Sequence, residues 1–204
     1  MKKLLIFLLL IFGATTFAQT DLSKIKLEEL FNATHDEIIK MFGIPDFLSP
    51  TNSVSYSTND SPNKIFFDLH DIEFIYSKDL TITFDNPMAL VLTALEHKIN
   101  LPDKAKKLHV CGIQLRNIDN YRLPLNLNKD DSLADIIKKL GNPDTYSKYK
   151  ITYSFPVKNE KQDKRALPKS FNSSATDFVE IEFSDDKISL IRITRKHNFE
   201  FNFK

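Results

Sequence analysis

Apolar and polar residues alternate near the C-terminus, in the run Phe178-Val179-Glu180-Ile181-Glu182-Phe183. A period of two is typical of a β-strand that buries one face and leaves the other in water. The acidic stretch 184–187 then predicts a tight turn, and residues 188–194 a second strand. The pattern therefore predicts an antiparallel hairpin with Glu180 and Glu182 on its wet face.

Two other stretches have the apolar spacing of a helix. Apolar residues at i, i+1 and i+4 fall on one helix face. They are Ile38, Ile39 and Phe42 in one stretch, and Ile136, Ile137 and Leu140 in the other. Thr34 followed by Glu37 has the spacing of a capping box, and Asp131 or Ser132 begins the second helix. The sequence therefore predicts two short amphipathic helices.

A glycine and a proline end both helices in the same way. Gly43 and Gly141 stand where a helix ends in the left-handed conformation, which glycine adopts without the steric cost of a Cβ. Pro45 and Pro143 follow two residues later and prevent the helix from continuing. We interpret these four residues as a structural turn and not as a binding motif.

The helical stretches belong to an internal repeat. Residues 36–46 and 134–144 are identical at six of eleven positions, at an offset of 98 residues. Two further pairs of segments follow in the same order at offsets of 97 and 99: 53–56 with 150–153, each ending in a tyrosine, and 80–86 with 179–185. Three matching blocks at nearly one spacing indicate that a single unit was duplicated.

We therefore predict an α+β fold of two tandem repeats, each a short helix region packed on an antiparallel sheet, over residues 19–104 and 105–204. In the first unit, a turn at 85–88 leads into a strand at 89–95. The alternative is that Asn86 caps a helix whose first residue is Pro87.

The rest of the chain joins or interrupts the two units. The join contains predicted strands at 108–115 and 121–127. Polar insertions at 49–63 and 157–176 follow the tyrosine strand in each unit, so they should emerge at equivalent places.

The N-terminus has the pattern of a secretory signal peptide, residues 1–18. Two lysines precede an apolar run at 4–12, and small residues end at Ala18. The run is shorter than the ~20 residues of a membrane-spanning helix, so we expect cleavage before Gln19 and no transmembrane segment afterwards. No cysteine lies near the cut, which argues against lipid attachment. The chain from Gln19 onward is expected in the periplasm or outside the cell.

Composition and charge argue against several kinds of function. A net charge of +1 gives no global field for attracting nucleic acid or a membrane, and four glycines are too few for a phosphate-binding loop. The only cysteine, Cys111, stands in a predicted strand and is expected to be buried. His97, His109 and Glu96 match no known metal-site spacing. We predict no cofactor, no metal and no catalytic residues, and a hydrolase is the least favoured class.

The helix, the Gly-x-Pro-Asp turn, the tyrosine strand and the following hairpin together resemble the unit of BamE, a small lipoprotein of outer-membrane assembly. Two such units in tandem resemble the β-lactamase inhibitory protein, in which two sheets lie side by side and present a concave face to another protein. This resemblance implies a fold and a protein-binding role. The chain departs from both families, because it lacks the lipidation cysteine of the first and the disulfides of the second.

We expect an exported, non-enzymatic module that binds another protein or an envelope component. The alternative is an envelope assembly or stability factor. Candidate partner-binding residues are Glu180 and Glu182 on the wet sheet face, and the basic residues of the second insertion, Lys158, Lys161, Lys164 and Arg165. Two plainer interpretations remain open: solvated glutamates and a mobile charged loop.

Overall fold

The structure is a computed structural model, and it describes residues 27–31, 33–50, 55–57, 64–68, 71–76, 79–116, 118–157 and 167–202. The predicted signal peptide, 1–18, lies outside the described residues.

The described residues form three α-helices and ten β-strands, besides short 3₁₀ turns. The helices are α1 (His35–Phe42), α2 (Met88–Glu96) and α3 (Leu133–Leu140). The first six strands are β1 (Phe47–Pro50), β2 (Ser55–Ser57), β3 (Lys64–Asp68), β4 (Asp71–Tyr76), β5 (Leu80–Asp85) and β6 (His109–Arg116). The last four are β7 (Thr145–Ser147), β8 (Lys150–Pro156), β9 (Phe171–Ser184) and β10 (Lys187–Asn202).

All ten strands belong to one antiparallel sheet, which confirms the α+β class. The main strand order is β1-β4-β5-β6-β10-β9-β8-β7. Beyond the end of β6, β3 pairs with the last four residues of β10, and β2 pairs with β3. The predicted hairpin at 178–194 is confirmed, and both of its strands are longer than the alternation indicated.

From either edge of the sheet inward, the strands follow one another in chain order: β1, β4, β5 and β6 from one edge, and β7, β8, β9 and β10 from the other. One half contains α1, β1, β4, β5 and β6, and the other contains α3, β7, β8, β9 and β10. The predicted boundary after residue 104 puts β6 in the second unit; in the sheet, β6 pairs with β5 on one side and with β10 on the other. That the two halves arose from one duplicated unit stays a prediction.

The two halves meet where β6 pairs with β10. Gln114 stands opposite Arg192, and the flanking pairs are Ile113 with Ile193 and Leu115 with Ile191. The Arg192 Nε donates a hydrogen bond to the Gln114 Oε1 at 2.8 Å. The sheet is therefore continuous through its centre, where β10, the last of the ten strands in chain order, lies between β6 and β9.

Both predicted capping boxes are present. The Glu37 carboxylate accepts from the Thr34 backbone N–H at 2.7 Å, and the Thr34 hydroxyl accepts from the Glu37 N–H at 3.4 Å. Ser132 and Asp135 make the same two bonds at 3.0 and 3.2 Å. Each box satisfies backbone donors that the first helical turn leaves without partners.

The glycines that end α1 and α3 adopt a different conformation from the one the sequence predicts. Gly43 has φ 82° and ψ −166°, and Gly141 has φ 87° and ψ −170°. The positive φ is as expected, but the left-handed helical conformation requires ψ near +47°, so that part of the prediction is wrong. A positive φ with extended ψ belongs almost only to glycine, and it sends the chain directly into an edge strand.

Tyr76, and not Tyr56, is the structural counterpart of Tyr153. The predicted match of residues 53–56 with residues 150–153 is therefore wrong. The Tyr76 hydroxyl donates to the Gly43 carbonyl at 3.2 Å, and the Tyr153 hydroxyl donates to the Gly141 carbonyl at 3.2 Å. Burial raises the pKa of Tyr76 to about 12 and also raises the pKa of Tyr153. Tyr56 lies in β2 instead, opposite Phe67.

The predicted strand at 89–95 is wrong, because these residues form α2. The Asn86 side chain accepts from the Met88 backbone N–H at 3.0 Å, and Pro87 precedes the first helical residue. The alternative interpretation, in which Asn86 and Pro87 begin a helix, is therefore close to the structure. Leu and Ala are strong helix formers, and an apolar run without polar spacing does not by itself separate a helix from a strand.

The predicted strand at 121–127 is also wrong, whereas the one at 108–115 is confirmed as β6. Leu125 and Asn126 have φ of 59° and 56°, which a strand cannot contain. The segment forms a 3₁₀ turn at Pro124–Asn126.

Two apolar cores support the sheet. The larger one joins Ile38 of α1 and Ile136 of α3 to strands of both halves. The smaller one packs α2 and the 3₁₀ turn Asp103–Lys106 on Phe171 and Phe201, in the ends of β9 and β10 that extend beyond β6. The first half therefore contributes an extra helix, and the second half the strand extensions that it packs on.

Gly112 of β6 is required by the close approach of a neighbouring side chain. A Cβ at this position would lie 2.9 Å from the Thr83 Cβ across the strand pair. We expect Gly112→Ala to lower the free energy of unfolding by about 1 kcal/mol, the lower end of the usual cost of overpacking. Chemical denaturation measures this change.

The control is the double variant Thr83→Gly with Gly112→Ala, which moves the methyl group from one strand to the other. It should be more stable than the sum of the two single changes indicates. Strict additivity would contradict the proposed contact.

Candidate protein-binding surface

A polar row crosses the centre of the sheet on the face that carries Glu180. Successive strand partners in this row are Thr81, Gln114, Arg192, Glu180 and Thr152. The Arg192 Nη1 donates to the Glu180 Oε1 at 2.8 Å, and the Lys150 ammonium contacts the other oxygen of the same carboxylate. Arg192 and Lys150 therefore each contact one oxygen of the Glu180 carboxylate. This pairing leaves the carboxylate few free positions for accepting a hydrogen bond from a partner.

Glu182 is the other sequence-predicted binding residue in the described part of the chain. Glu182 is half-buried opposite Leu190 on the neighbouring strand. Lys158, Lys161, Lys164 and Arg165 lie outside the described residues. Gly43, Pro45, Gly141 and Pro143 lie where the helices turn into the edge strands.

An apolar surface that the sequence analysis did not single out lies at the outer edge of the first half. Ile44 is 82% exposed, Phe47 69% and Leu48 64%. Phe47 and Leu48 are consecutive in β1, so their side chains point to opposite faces of the sheet. We call Ile44, Phe47 and Leu48 the β1 edge patch.

The second half has polar residues at two of these three positions, and at the third it has Tyr146, which is 62% exposed. At the offset of 98, the counterparts of the patch are Asn142, Thr145 and Tyr146, which follow α3 as the patch follows α1. The backbone is held in the same way, since Asp46 donates its N–H to the Ile75 carbonyl and Asp144 to the Thr152 carbonyl, both at 2.9 Å. The patch therefore has no evident role in folding.

The backbone of β1 adds to the binding potential of this edge. β1 pairs with β4 on one side, and in the described part of the chain no strand pairs with its other side. An edge strand presents alternate N–H and C=O groups outward, which can pair with a strand from another chain. Only the end of β1 at Pro50 lacks an N–H to offer.

The histidine and the cysteine of β6 are both buried. His109 is buried and its ring Nε2–H donates to the Lys104 carbonyl at 2.7 Å, and Cys111 is buried as predicted. No three His, Cys, Asp or Glu residues in the described ranges are placed to hold a metal ion. An open depression of about 410 Å³ is lined in part by Asp119 and Lys129, which pair with each other at 2.9 Å.

The β1 edge patch could have been found by comparing the two predicted repeats position by position. Positions that are identical in the two halves, such as Ile38 and Ile136, indicate residues that the fold requires. The difference between Asn142 and Ile44 indicates a position at which the fold does not require an apolar residue. An apolar residue at a position where the other repeat is polar is a candidate for binding.

Comparisons with known proteins give no family for this chain. No family model matches it, and no curated protein matches it. The solved structure of an extracellular protein containing an SCP domain, from Bacillus anthracis str. Ames, is similar with a TM-score of 0.44 and 9% identity. The similarity covers 84% of this chain and 46% of the other, so the chain spans about half the length of that protein. A likeness at this level supports no functional argument.

No helix in the described ranges is both long and apolar enough to cross a bilayer.

Proposed function

We propose that the protein is a non-enzymatic binding module whose partner is another protein. The observation that carries the proposal is the β1 edge patch. Its three large apolar side chains are exposed in the first half, and the same backbone positions in the second half are filled by Asn142, Thr145 and Tyr146. Exposed apolar groups that folding does not need are typical of a contact surface for another macromolecule.

The open side of β1 favours an extended partner segment. A strand added to an edge gains main-chain hydrogen bonds, and its alternate side chains contact those of the host strand on both faces. Because Phe47 and Leu48 lie on opposite faces, such a segment would meet an apolar side chain on either side of the sheet. We therefore propose a partner that contributes a strand with apolar residues at consecutive positions.

The proposed setting is outside the cytoplasm, in the periplasm or beyond the cell, and it depends on the signal-like residues 1–18. A role in assembling or stabilising the cell envelope is compatible with this kind of binding. The polar row on the sheet face contributes less, because Glu180 is already paired with Lys150 and Arg192.

The test exchanges the patch for the residues of the second half. The triple variant Ile44→Asn, Phe47→Thr, Leu48→Tyr should fold as stably as the wild type, since the equivalent backbone carries these residues. The chain from Gln19 onward is used to capture proteins from envelope extract. The contacting segment of the captured protein is mapped by cross-linking from position 47, synthesised as a peptide and titrated.

We expect the triple variant to bind this peptide at least tenfold more weakly, a change of about 1.4 kcal/mol. A matched control, Thr145→Phe with Tyr146→Leu in the second half, should leave the affinity of the β1 edge unchanged. Equal affinity of the wild type and the triple variant would contradict the proposal, as would cross-links from position 145 and not from position 47.

A further inference from the structure

Helix α2 exposes a second apolar surface, distant in sequence from the β1 edge patch. Met88 is 51% exposed, Leu92 58% and Leu95 70%. Their spacing of four and three residues places them on one face of the helix. The opposite face is buried in the smaller core through Leu90 and Ala94. We call Met88, Leu92 and Leu95 the α2 stripe.

The sheet does not need α2 in order to join its strands. Asp85 of β5 pairs with His109 of β6, and the whole segment 86–108, which contains α2, stands between them. At the equivalent place in the second half, Ser184 pairs with Lys187 and only Asp185 and Asp186 intervene, at φ of 52° and 60°. Two residues with positive φ are enough for a hairpin. The longer connection of the first half therefore adds a surface that the hairpin itself does not require.

Lysines accumulate directly after the stripe. The Lys98 backbone N–H donates to the Leu95 carbonyl at 3.2 Å, which holds Lys98 beside the exposed end of the stripe. Lys104 and Lys106 follow in the 3₁₀ turn that contacts α2, and all three lysines are exposed. Lys106 pairs with Asp103 at 3.0 Å, while Lys98 and Lys104 make no ion pair with another described residue. Glu96 is the one exposed acidic residue of the helix.

We propose that the α2 stripe and its lysines dock on the surface of a bilayer that contains anionic lipid. A helix that lies in the membrane interface buries its apolar side chains at the level of the headgroups, and nearby lysines attract anionic headgroups. The stripe provides Met and Leu for the apolar layer, and Lys98 and Lys104 provide the charge. This surface attachment is independent of the protein-binding function proposed for β1.

The composition of the stripe favours a membrane over a protein partner. Binding energy at protein interfaces is concentrated in Trp, Tyr and Arg, and lysine is depleted there. The stripe contains no Trp, Tyr or Arg, and lysines follow it in the chain. The β1 edge differs, because it combines an aromatic residue, Phe47, with an open strand edge.

The experiment measures co-flotation of the chain from Gln19 onward with vesicles. One set contains phosphatidylglycerol as the minor component in phosphatidylcholine, and the other contains phosphatidylcholine alone. We expect at least tenfold stronger partitioning into the anionic vesicles, and a decrease as the salt concentration rises because salt screens the lysines. Leu92→Gln with Leu95→Gln should reduce the partitioning at least tenfold, and Lys98→Gln with Lys104→Gln should remove the preference for anionic lipid.

The matched control is the triple variant of the β1 edge patch, which should bind the vesicles like the wild type. If instead that variant loses binding and the Leu92 and Leu95 variant retains it, the membrane surface is wrongly assigned. Failure of the wild type to float with anionic vesicles would also overturn the proposal. So would a dimer in sedimentation analysis that the Leu92 and Leu95 changes dissociate, because the stripe would then be a protein interface.

Discussion

Replacing Ile136 by alanine is expected to lower the free energy of unfolding by about 2–5 kcal/mol, and Ile38→Ala is expected to do the same. Each isoleucine is completely buried and joins its helix to the sheet. Removing three carbons from such a site loses their transfer free energy and leaves a cavity that the surrounding side chains fill only in part. Denaturant titration followed by circular dichroism measures the loss.

The control for this pair is Lys138→Ala, which changes an exposed residue of the same helix and should leave the unfolding midpoint unchanged. The two isoleucine variants should also have similar effects, because α1 and α3 have corresponding positions in the two halves. A loss below about 1 kcal/mol at either site would show that the helix is not held by this residue.

Gly141→Val and Gly43→Val are expected to destabilise the protein by about 1–3 kcal/mol each. The cause is the backbone alone, since a Cβ built at either glycine would meet no atom within 4 Å. A residue with a side chain must either accept a positive φ with extended ψ or move the start of the edge strand. Thermal or chemical unfolding of the two single variants measures the cost.

Asn142→Val is the matched control for Gly141→Val, because Asn142 is the adjacent exposed residue and its φ is not positive. It should be close to neutral. If the changes at positions 141 and 142 had the same effect, the loss at Gly141 would be due to the added apolar side chain and not to the backbone conformation.

The helix starts and the last hairpin could be predicted because they are encoded locally. Thr34 with Glu37 and Ser132 with Asp135 each fix a helix start through residues that are close in sequence. The alternation at 178–183 fixes a strand in the same way. At Gly43, the residue type permits a positive φ, but ψ depends on where the chain goes next.

Other features could not be predicted because they depend on contacts between distant segments. Tyr56 fits the offset of the repeat and Tyr76 does not, yet the bond from the Tyr76 hydroxyl to the Gly43 carbonyl identifies Tyr76 as the counterpart of Tyr153. The run 89–95 is predominantly apolar, so its periodicity could not separate helix from strand. In the structure this run is a helix that packs on Phe171 and Phe201, which come much later in the chain.

The candidate binding surfaces were missed for a related reason. The sequence draws attention to charged residues such as Glu180, but the structure pairs that carboxylate with cations of the same chain. Ile44, Phe47 and Leu92 are of the residue types expected in a core, and only their exposure distinguishes them.

The placement of β10 determines when folding can be completed during synthesis. Strand β10 lies between β6 and β9, so both of them have an open side until residues 187–202 have been synthesised. The nascent chain therefore cannot close its sheet step by step, and a premature stop codon near the end would remove the central strand instead of trimming an edge. Long-range pairing of this kind forms late and slows folding.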